Sequence, residues 1–239
     1  MLRLMLAEQE WHLSKCEELM IEIKKHKEPK ELVWYKKQKG ASYENMSGEI
    51  KQKVLDSLMK EQGHLCAYCM RRIPETRKLP MNVKSVTIEH WYPQNPDSED
   101  EIGQGLDYRN MLAVCSGNRG CGNKKNTTCD AHRGNSELKV NPCDYRTLQK
   151  ISYRSDGRIF SSDKDINKDL NDILNLNCQA ISLPENRKQV LNQLLLDIKK
   201  KCPKGDIKQY CNRKLQQLDN RDDKVPFEGI LVWWLKEHS

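Results

Sequence analysis

The sequence lacks the features expected of a membrane protein, a secreted protein or an ATPase. No apolar run approaches the roughly 20 residues that a membrane-spanning helix needs. The first ten residues include Arg3, Glu8 and Glu10 and therefore do not resemble the apolar region of a signal peptide. No G-x-x-x-x-G-K-S/T phosphate-binding loop is present, so we expect no ATP hydrolysis by this chain. These absences predict a cytoplasmic protein that does not enter a membrane.

Phenylalanine is scarce, with two in 239 residues, and hydrophobic residues make up 37% of the chain. Charged residues reach 31%, which predicts a modest core beneath a highly charged surface. The formal net charge of +7 suits a polyanionic partner such as nucleic acid, because phosphate contacts release condensed counterions. Basic proteins are common, so the charge alone favours nucleic acid only slightly.

Cysteine, in contrast, is abundant, with ten residues. In a cytoplasmic protein, a Cys-x-x-Cys pair such as Cys66 and Cys69 is more typical of metal binding than of a disulfide. No thioredoxin-like βαβ pattern surrounds the pair, which disfavours a redox role. A second pair drawn from Cys115, Cys121 and Cys129 would complete a tetrahedral zinc site. Four cysteines lie in helical patterns and are predicted to be packing residues: Cys16, Cys178, Cys202 and Cys211.

Apolar periodicity and turn residues predict the elements around these cysteines. The predicted helices cover residues 2–26, the segment from the N-cap Ser47 to Gln62, residues 129–138, 165–176, 184–201 and 205–218, and the segment after Pro226. Residues 83–90 predict a strand, and Asp156-Gly157 predicts the turn of a hairpin over 151–160. A basic linker over 24–40 carries Trp34 and Tyr35, which either stack on bases or pin the linker. The chain then divides into regions 1–62, 63–162 and 163–239.

A pair of residues with hydrolytic chemistry, Glu89 and His90, ends the predicted strand. Glutamate supplies the hard oxygen ligand that Mg²⁺ prefers. Histidine, with a pKa near neutrality, can deprotonate water. A Glu-His pair in a strand is usually incidental, and the cysteines on both sides give this one its weight.

Four motifs follow one another along the middle of the chain. They are Cys66-x-x-Cys69, Glu89-His90-x-x-Pro93, Tyr108-x-Asn110-Met-Leu-x-x-Cys115 and Cys129-Asp130-x-x-Arg133-Gly134. This order resembles that of the HNH endonucleases. More closely, it resembles the PtuB-type HNH subunit of Septu antiphage systems, which also occurs in some retron defence operons. The resemblance covers roughly residues 28–160 and is weaker in the helical tail.

The resemblance implies an α+β fold, with a zinc-stapled ββα-metal nuclease core in the central region, N-terminal helices and a C-terminal helical region. It implies that His90 is the general base and that Glu89 binds a catalytic Mg²⁺ or another divalent cation. It also implies that Asn110 orders the active-site loop by hydrogen bonding. The structural zinc ligands that it implies are Cys66, Cys69, Cys115 and Cys129.

The sequence departs from the HNH pattern at one position, where Asp130 rather than His or Asn follows Cys129. Because aspartate is a good Mg²⁺ ligand, we predict that Asp130 is the second ligand of the catalytic metal, with Asn123 and His132 as rivals. Residues 116–128 then form an insertion between the third and fourth zinc ligands. The basic side chains of this insertion could contact phosphate: Arg119, Lys124 and Lys125.

The resemblance also implies partners. It predicts an endonuclease that hydrolyses phosphodiester bonds of DNA or RNA, as the effector of an antiviral complex with an ABC/SMC-type, PtuA-like ATPase. A retron version would add a reverse transcriptase and its RNA–DNA product. The helical regions outside the core would then be the docking surface. The competing interpretation is a zinc-stapled module that binds nucleic acid or protein without catalysis.

Overall fold

The computed structural model of the chain describes residues 22–74, 86–94, 104–202 and 207–239, which form a mixed α+β fold. The helices are α1 (Lys30–Lys36), α2 (Gly48–Glu61), α3 (Cys129–Arg133), α4 (Tyr145–Leu148), α5 (Lys164–Lys168), α6 (Leu183–Lys201), α7 (Ile207–Asp219) and α8 (Glu228–Glu237). The strands β1 (Val86–His90) and β2 (Met111–Cys115) pair antiparallel, as do β3 (Ile151–Tyr153) and β4 (Ile159–Ser161). Short 3-10 turns cover Gln104–Leu106, Tyr108–Asn110 and Lys124–Asn126.

The N-terminal region differs from the prediction where the structure describes it. The predicted helix over 2–26 falls largely outside the described residues, and residues 22–29 are not helical. The predicted linker instead contains α1, which starts after the N-cap residue Pro29, whose carbonyl oxygen accepts from the N–H groups of Leu32 and Val33. Leu32 on this helix is fully buried, whereas the Trp34 side chain is largely exposed.

Helix α2 confirms the cap read from the sequence. The Ser47 hydroxyl accepts a hydrogen bond from the Ile50 N–H, and the helix ends at Glu61, followed by the C-cap residue Gln62 and by Gly63 in a left-handed conformation. The buried Gln62 side chain then pairs with both backbone groups of Ala113 in β2, at 2.7 and 2.8 Å. This pairing joins α2 to the outer edge of β2.

The sheet formed by β1 and β2 orients the central part of the molecule. Its register places His90 opposite Met111 and Val86 opposite Cys115. Helix α3 begins beside Cys115, and its last residue, Arg133, reaches the backbone oxygens of His90 and Trp91. The helix therefore connects the two ends of β1.

The C-terminal half confirms the predicted hairpin and most of the predicted helices. Gly157 adopts a left-handed conformation in the β3–β4 turn, and a Cβ atom there would lie 2.0 Å from the Pro184 carbonyl oxygen. The predicted helix over 165–176 is shorter, because a π-helical turn over Asp169–Ile173 follows α5. In that turn the Asp169 carboxylate accepts hydrogen bonds from the backbone N–H groups of Lys139 and Val140.

Buried side chains from all three regions form one continuous hydrophobic core, from Leu32 in α1 through Leu112 in β2 to Leu235 in α8. None of the helices in the described part of the chain is both long enough and apolar enough to cross a membrane.

Candidate metal centre and adjoining polar site

Four buried cysteine side chains, those of Cys66, Cys69, Cys115 and Cys129, meet beside the β1–β2 sheet, and their sulfur atoms all lie within 4.8 Å of one another. Three of the Sγ–Sγ distances are 3.7, 3.8 and 3.9 Å. A disulfide would bring two sulfurs to about 2.05 Å. Four thiolates at about 2.3 Å from a central zinc, in tetrahedral geometry, would be about 3.8 Å apart. The cluster therefore has the spacing of a site that could hold a metal ion such as zinc.

Local backbone geometry brings these sulfurs together. Cys66 and Cys69 lie on a tight turn in which the Met70 N–H donates to the Cys66 carbonyl oxygen and Met70 is left-handed. The Cys115 N–H, at the end of β2, donates to the Cys66 sulfur at 3.3 Å. Cys129 is left-handed at the start of α3, and its N–H donates to the Leu174 carbonyl oxygen. Contacts with distant parts of the chain thus fix the fourth sulfur.

The rival ligand Cys121 lies outside the cluster. Its side chain is exposed, and its sulfur is 3.1 Å from the Asn123 carbonyl oxygen. The structure therefore brings Cys129, rather than Cys121, to the other three cysteines.

Proton sharing among the sulfurs shows why a cation suits this cluster. A hydrogen bond between Cys115 and Cys129 lowers the pKa of Cys115, and hydrogen bonds with Cys115 raise the pKa values of Cys69 and Cys129, together with burial. The group thus favours one thiolate among thiols. A metal ion would hold all four as thiolates and release the remaining protons.

Arg187 supplies a buried positive charge whose electric field reaches the Cys69 and Cys129 sulfurs. Its guanidinium donates to the carbonyl oxygens of Gly157 and Leu176. Burial lowers its pKa, because the charged form has lost its water. A tetrathiolate centre with a divalent metal carries a charge of −2, which Arg187 would partly offset.

Asp130 lies close enough to Glu89, next to this cluster, for its negative charge to act on the Glu89 carboxyl group. Glu89 is buried, and Asp130 is partly exposed near the start of α3. Burial and the negative charge of Asp130 raise the pKa of Glu89 to about 7, against the opposing effect of Arg133. Two carboxyl groups that repel each other in this way would be stabilised by a hard cation such as Mg²⁺.

Arg133 and Tyr68 are the site residues to which we assign no role from the sequence. The Arg133 guanidinium is almost fully buried, forms an ion pair with Oε1 of Glu89 and also binds the Tyr68 hydroxyl at 3.0 Å. The Tyr68 hydroxyl donates to the same Oε1 at 3.2 Å. Neither of these donors binds the other oxygen, Oε2. The sequence offered one indication that these two residues belong to the site: Arg133 lies within the last cysteine motif, and Tyr68 lies inside Cys66-x-x-Cys69.

His90 is buried at the end of β1, and its Nε2 lies 3.0 Å from the Gly105 carbonyl oxygen. A carbonyl only accepts hydrogen bonds, so Nε2 carries the proton and Nδ1 carries the lone pair. The Tyr43 ring packs edge-on against the imidazole, with ring centroids 4.6 Å apart. Burial lowers the pKa of His90, which favours the neutral form that can accept a proton.

Asn110 holds the backbone that follows His90. Its Oδ1 accepts from the Tyr92 N–H at 2.7 Å, and its Nδ2 donates to the Tyr92 carbonyl oxygen at 3.0 Å. The Trp91 N–H donates to the Asn110 carbonyl oxygen. One buried asparagine therefore satisfies both backbone groups of Tyr92 and orders the segment after β1.

Replacing Asn110 with alanine is expected to lower the free energy of unfolding by about 1–3 kcal/mol, since it leaves the two Tyr92 backbone groups without partners. Urea denaturation measures this loss. Asn123→Ala is the matched control, because Asn123 only caps an exposed 3-10 turn, and we expect a change within about 0.5 kcal/mol. Equal stability of the two variants would contradict the ordering role.

The two alternatives to Asp130 as a metal ligand, Asn123 and His132, make their contacts away from Glu89. The Asn123 side chain accepts from the Lys125 N–H in the exposed turn. The Nδ1 atom of His132 lies 3.0 Å from the Ile173 carbonyl oxygen, toward the π-helical turn. Of these three residues, Asp130 is the one whose charge raises the pKa of Glu89.

In comparisons with known proteins, neither a family model nor a curated protein matches the chain. The interpretation of the site therefore depends on its own geometry and on the sequence motifs.

Proposed function

We propose that this protein is a metal-dependent endonuclease of the HNH class that hydrolyses phosphodiester bonds of nucleic acid. One observation carries the proposal: Glu89 and a histidine whose burial favours the neutral form end β1 beside a four-cysteine cluster, and Asp130 at the start of α3 lies close enough to act on Glu89. Each of these parts alone is common, whereas their combination matches the ordered motifs of the sequence.

In this proposal His90 is the general base. Its bond to the Gly105 carbonyl oxygen keeps the proton on Nε2, so Nδ1 accepts a proton from the attacking water. The ring then becomes a cation, and the Nε2 bond to the carbonyl oxygen stabilises it. Asn110 maintains the position of the adjoining backbone through its two bonds to Tyr92.

Glu89 and Asp130 would hold the catalytic divalent cation, Mg²⁺ in the simplest case, with Glu89 contributing Oε2. When bound, such a cation stabilises negative charge on the phosphate and on the leaving oxygen. Arg133 and Tyr68 bind Oε1 and so orient the Glu89 carboxylate. In the same proposal the ion held by the four cysteines is Zn²⁺, which keeps the turn, β2 and α3 in register.

The substrate is DNA or RNA, since an external water needs no 2′-hydroxyl. The resemblance to Septu and retron subunits supports a role as the effector of a cytoplasmic antiviral complex with an ABC/SMC-like ATPase, and with a reverse transcriptase and its RNA–DNA product in a retron. In this assembly the helices outside the nuclease core would dock the partner.

Manganese binding tests the proposed site without requiring a partner protein. Mn²⁺ is a hard ion that prefers carboxylates to thiolates, so we expect the zinc-loaded chain to bind one equivalent. Glu89→Gln and Asp130→Asn should each weaken binding by roughly tenfold or more. Glu185→Gln, which removes an exposed carboxylate on α6, should leave it unchanged. Calorimetry that shows the same binding in all four proteins would refute the site.

A second function is favoured by one observation: both carboxylates form ion pairs with arginines, Glu89 with Arg133 and Asp130 with Arg119. If these pairs are permanent, the protein is a zinc-stapled binding module without catalysis. Such a module would bind nucleic acid but no Mn²⁺ at Glu89. Cleavage of a plasmid and of a folded RNA, assayed with the ATPase partner and Mg²⁺, separates the two functions.

A further inference from the structure

The segment 116–128 (the basic loop) joins two cysteines of the same cluster, so both of its ends are held in place. The Thr128 N–H donates to the Gly117 carbonyl oxygen, and the Asn118 side chain donates to the Asn126 carbonyl oxygen at 2.9 Å. The backbones approach so closely that a Cβ atom on Gly117 would lie 2.1 Å from the Thr128 oxygen. The loop therefore has an ordered stem.

The tip of the basic loop is exposed, and all of its charged residues are basic. Residues 119–125 are all exposed to solvent. They include Arg119, Lys124 and Lys125, and the sequence between Cys115 and Asp130 contains no acidic residue. A cationic tip beside two carboxyl groups is suited to a phosphate backbone that approaches the same site.

The two arginine–carboxylate pairs of the site differ in exposure. The side chains of Arg133 and Glu89 are 1% and 10% exposed, so their pair is part of the core. Those of Arg119 and Asp130 are 60% and 21% exposed. A solvent-exposed ion pair contributes little net stability, because water and salt compensate for its loss. Arg119 can therefore leave Asp130 without disturbing the fold, whereas Arg133 cannot leave Glu89.

We propose that Arg119 is an exchangeable counter-ion of the metal site and a contact for the substrate backbone. It neutralises Asp130 until a divalent cation binds there, and its guanidinium then moves to a phosphate of the nucleic acid. Guanidinium groups bind carboxylate and phosphate with the same two-pronged geometry, so one side chain serves both partners in turn. This inference rests on the proposed function, because it assumes that Asp130 binds the cation.

Arg119→Met tests both halves of the proposal in the full-length, zinc-loaded protein. Without its competitor, Mn²⁺ should bind up to about fivefold more tightly in calorimetry at low salt, the factor that an exposed ion pair accounts for. Binding of duplex DNA or duplex RNA, measured by anisotropy with Ca²⁺ present, should weaken. The slope of log affinity against log salt should fall by about 0.9, as expected for one lost phosphate contact. Arg119→Lys keeps the positive charge, so its Mn²⁺ affinity and its salt slope should lie between those of the wild type and Arg119→Met.

Arg146→Met is the matched control, since Arg146 also forms an exposed ion pair, with Asp144, and should not change Mn²⁺ affinity. Unchanged Mn²⁺ affinity in Arg119→Met would overturn the counter-ion role, and an unchanged salt slope would overturn the phosphate contact. If the wild-type protein binds no Mn²⁺, or if Asp130→Asn does not weaken the binding, the proposed function itself fails. Failure of the inference and failure of the function are thus separate outcomes.

Discussion

Replacing Cys129 with serine is expected to remove the metal that we propose for the four-cysteine cluster, and to destabilise the protein more than any single surface change. Loss of a bound metal is among the few mechanisms that exceed about 4 kcal/mol. For a chain of this size, each kcal/mol shifts the melting temperature by about 2–4 °C. We therefore expect the melting temperature to fall by about 8–16 °C.

The physical reason is the distribution of the ligands along the chain. Cys66 and Cys69 come from one turn, Cys115 from β2 and Cys129 from α3, so the metal would join three elements. Three remaining thiolates bind zinc more weakly than four, and the binding free energy of such a metal is part of the folding free energy. Cys66→Ser should behave in the same way, which separates loss of the metal from a local effect on α3.

Cys121→Ser is the matched control for this experiment. It makes the same chemical change eight positions before Cys129, at an exposed sulfur outside the cluster. We expect unchanged metal content and a melting temperature within about 2 °C of the wild type, as for an ordinary surface substitution. Elemental analysis and calorimetry measure both quantities. The proposed structural role of the cluster would be refuted if Cys129→Ser kept its metal and had the melting temperature of the wild type.

In the proposed endonuclease, replacing His90 is expected to have the largest effect on catalysis. A positioned general base accelerates a reaction by about 10²–10⁴-fold, so cleavage should fall by that factor. Alanine would also leave a cavity next to Tyr43 and remove the bond to Gly105. His90→Gln is therefore the better variant, because the glutamine amide fills more of the space and can still donate to the carbonyl oxygen.

Two other histidines provide controls for the His90 experiment. His64 is partly exposed, with Nε2 3.6 Å from an Asp223 carboxylate oxygen, and His132 binds the Ile173 carbonyl oxygen. His64→Gln and His132→Gln should each retain cleavage within about threefold of wild type, on the order of 0.6 kcal/mol in the barrier. All three variants should keep the metal content of the wild-type protein, because none of these histidines belongs to the four-cysteine cluster. Full activity of His90→Gln, or loss of activity in His132→Gln alone, would show that His90 is not the general base.

Local interactions explain which features could be predicted from the sequence. The Ser47 cap, the Asp156-Gly157 turn and the Cys66-x-x-Cys69 turn each depend on atoms within a few residues. Periodicity predicted α6 from about Pro184 to Lys201 because one face of that helix is buried. The apolar residues Val86 and Ile88 predicted a strand that leads into Glu89 and His90, and the structure confirms this.

Features that depend on distant residues could not be predicted in this way. A π-helical turn replaces the second half of the helix predicted over 165–176, where Asp169 binds Lys139 and Val140 from another segment. The Arg133–Glu89 pair joins residues 44 positions apart. Side chains of this kind acquire a role only when folding removes them from water, because burial makes a partner obligatory.

By itself, the sequence determined the chemistry that is available: a soft-ligand set of cysteines, a hard carboxylate next to a histidine, and the order in which they occur. The tertiary structure decided which of these groups meet. It brings Cys129 rather than Cys121 to the cluster, since Leu174 binds the Cys129 N–H and Asn175 binds the Thr127 carbonyl oxygen. It also places Asp130 close enough to Glu89 to raise the pKa of that carboxyl group, and it leaves Asn123 in solvent. Ligand choice among nearby residues is a question of distances of a few ångströms, and long-range packing sets those distances.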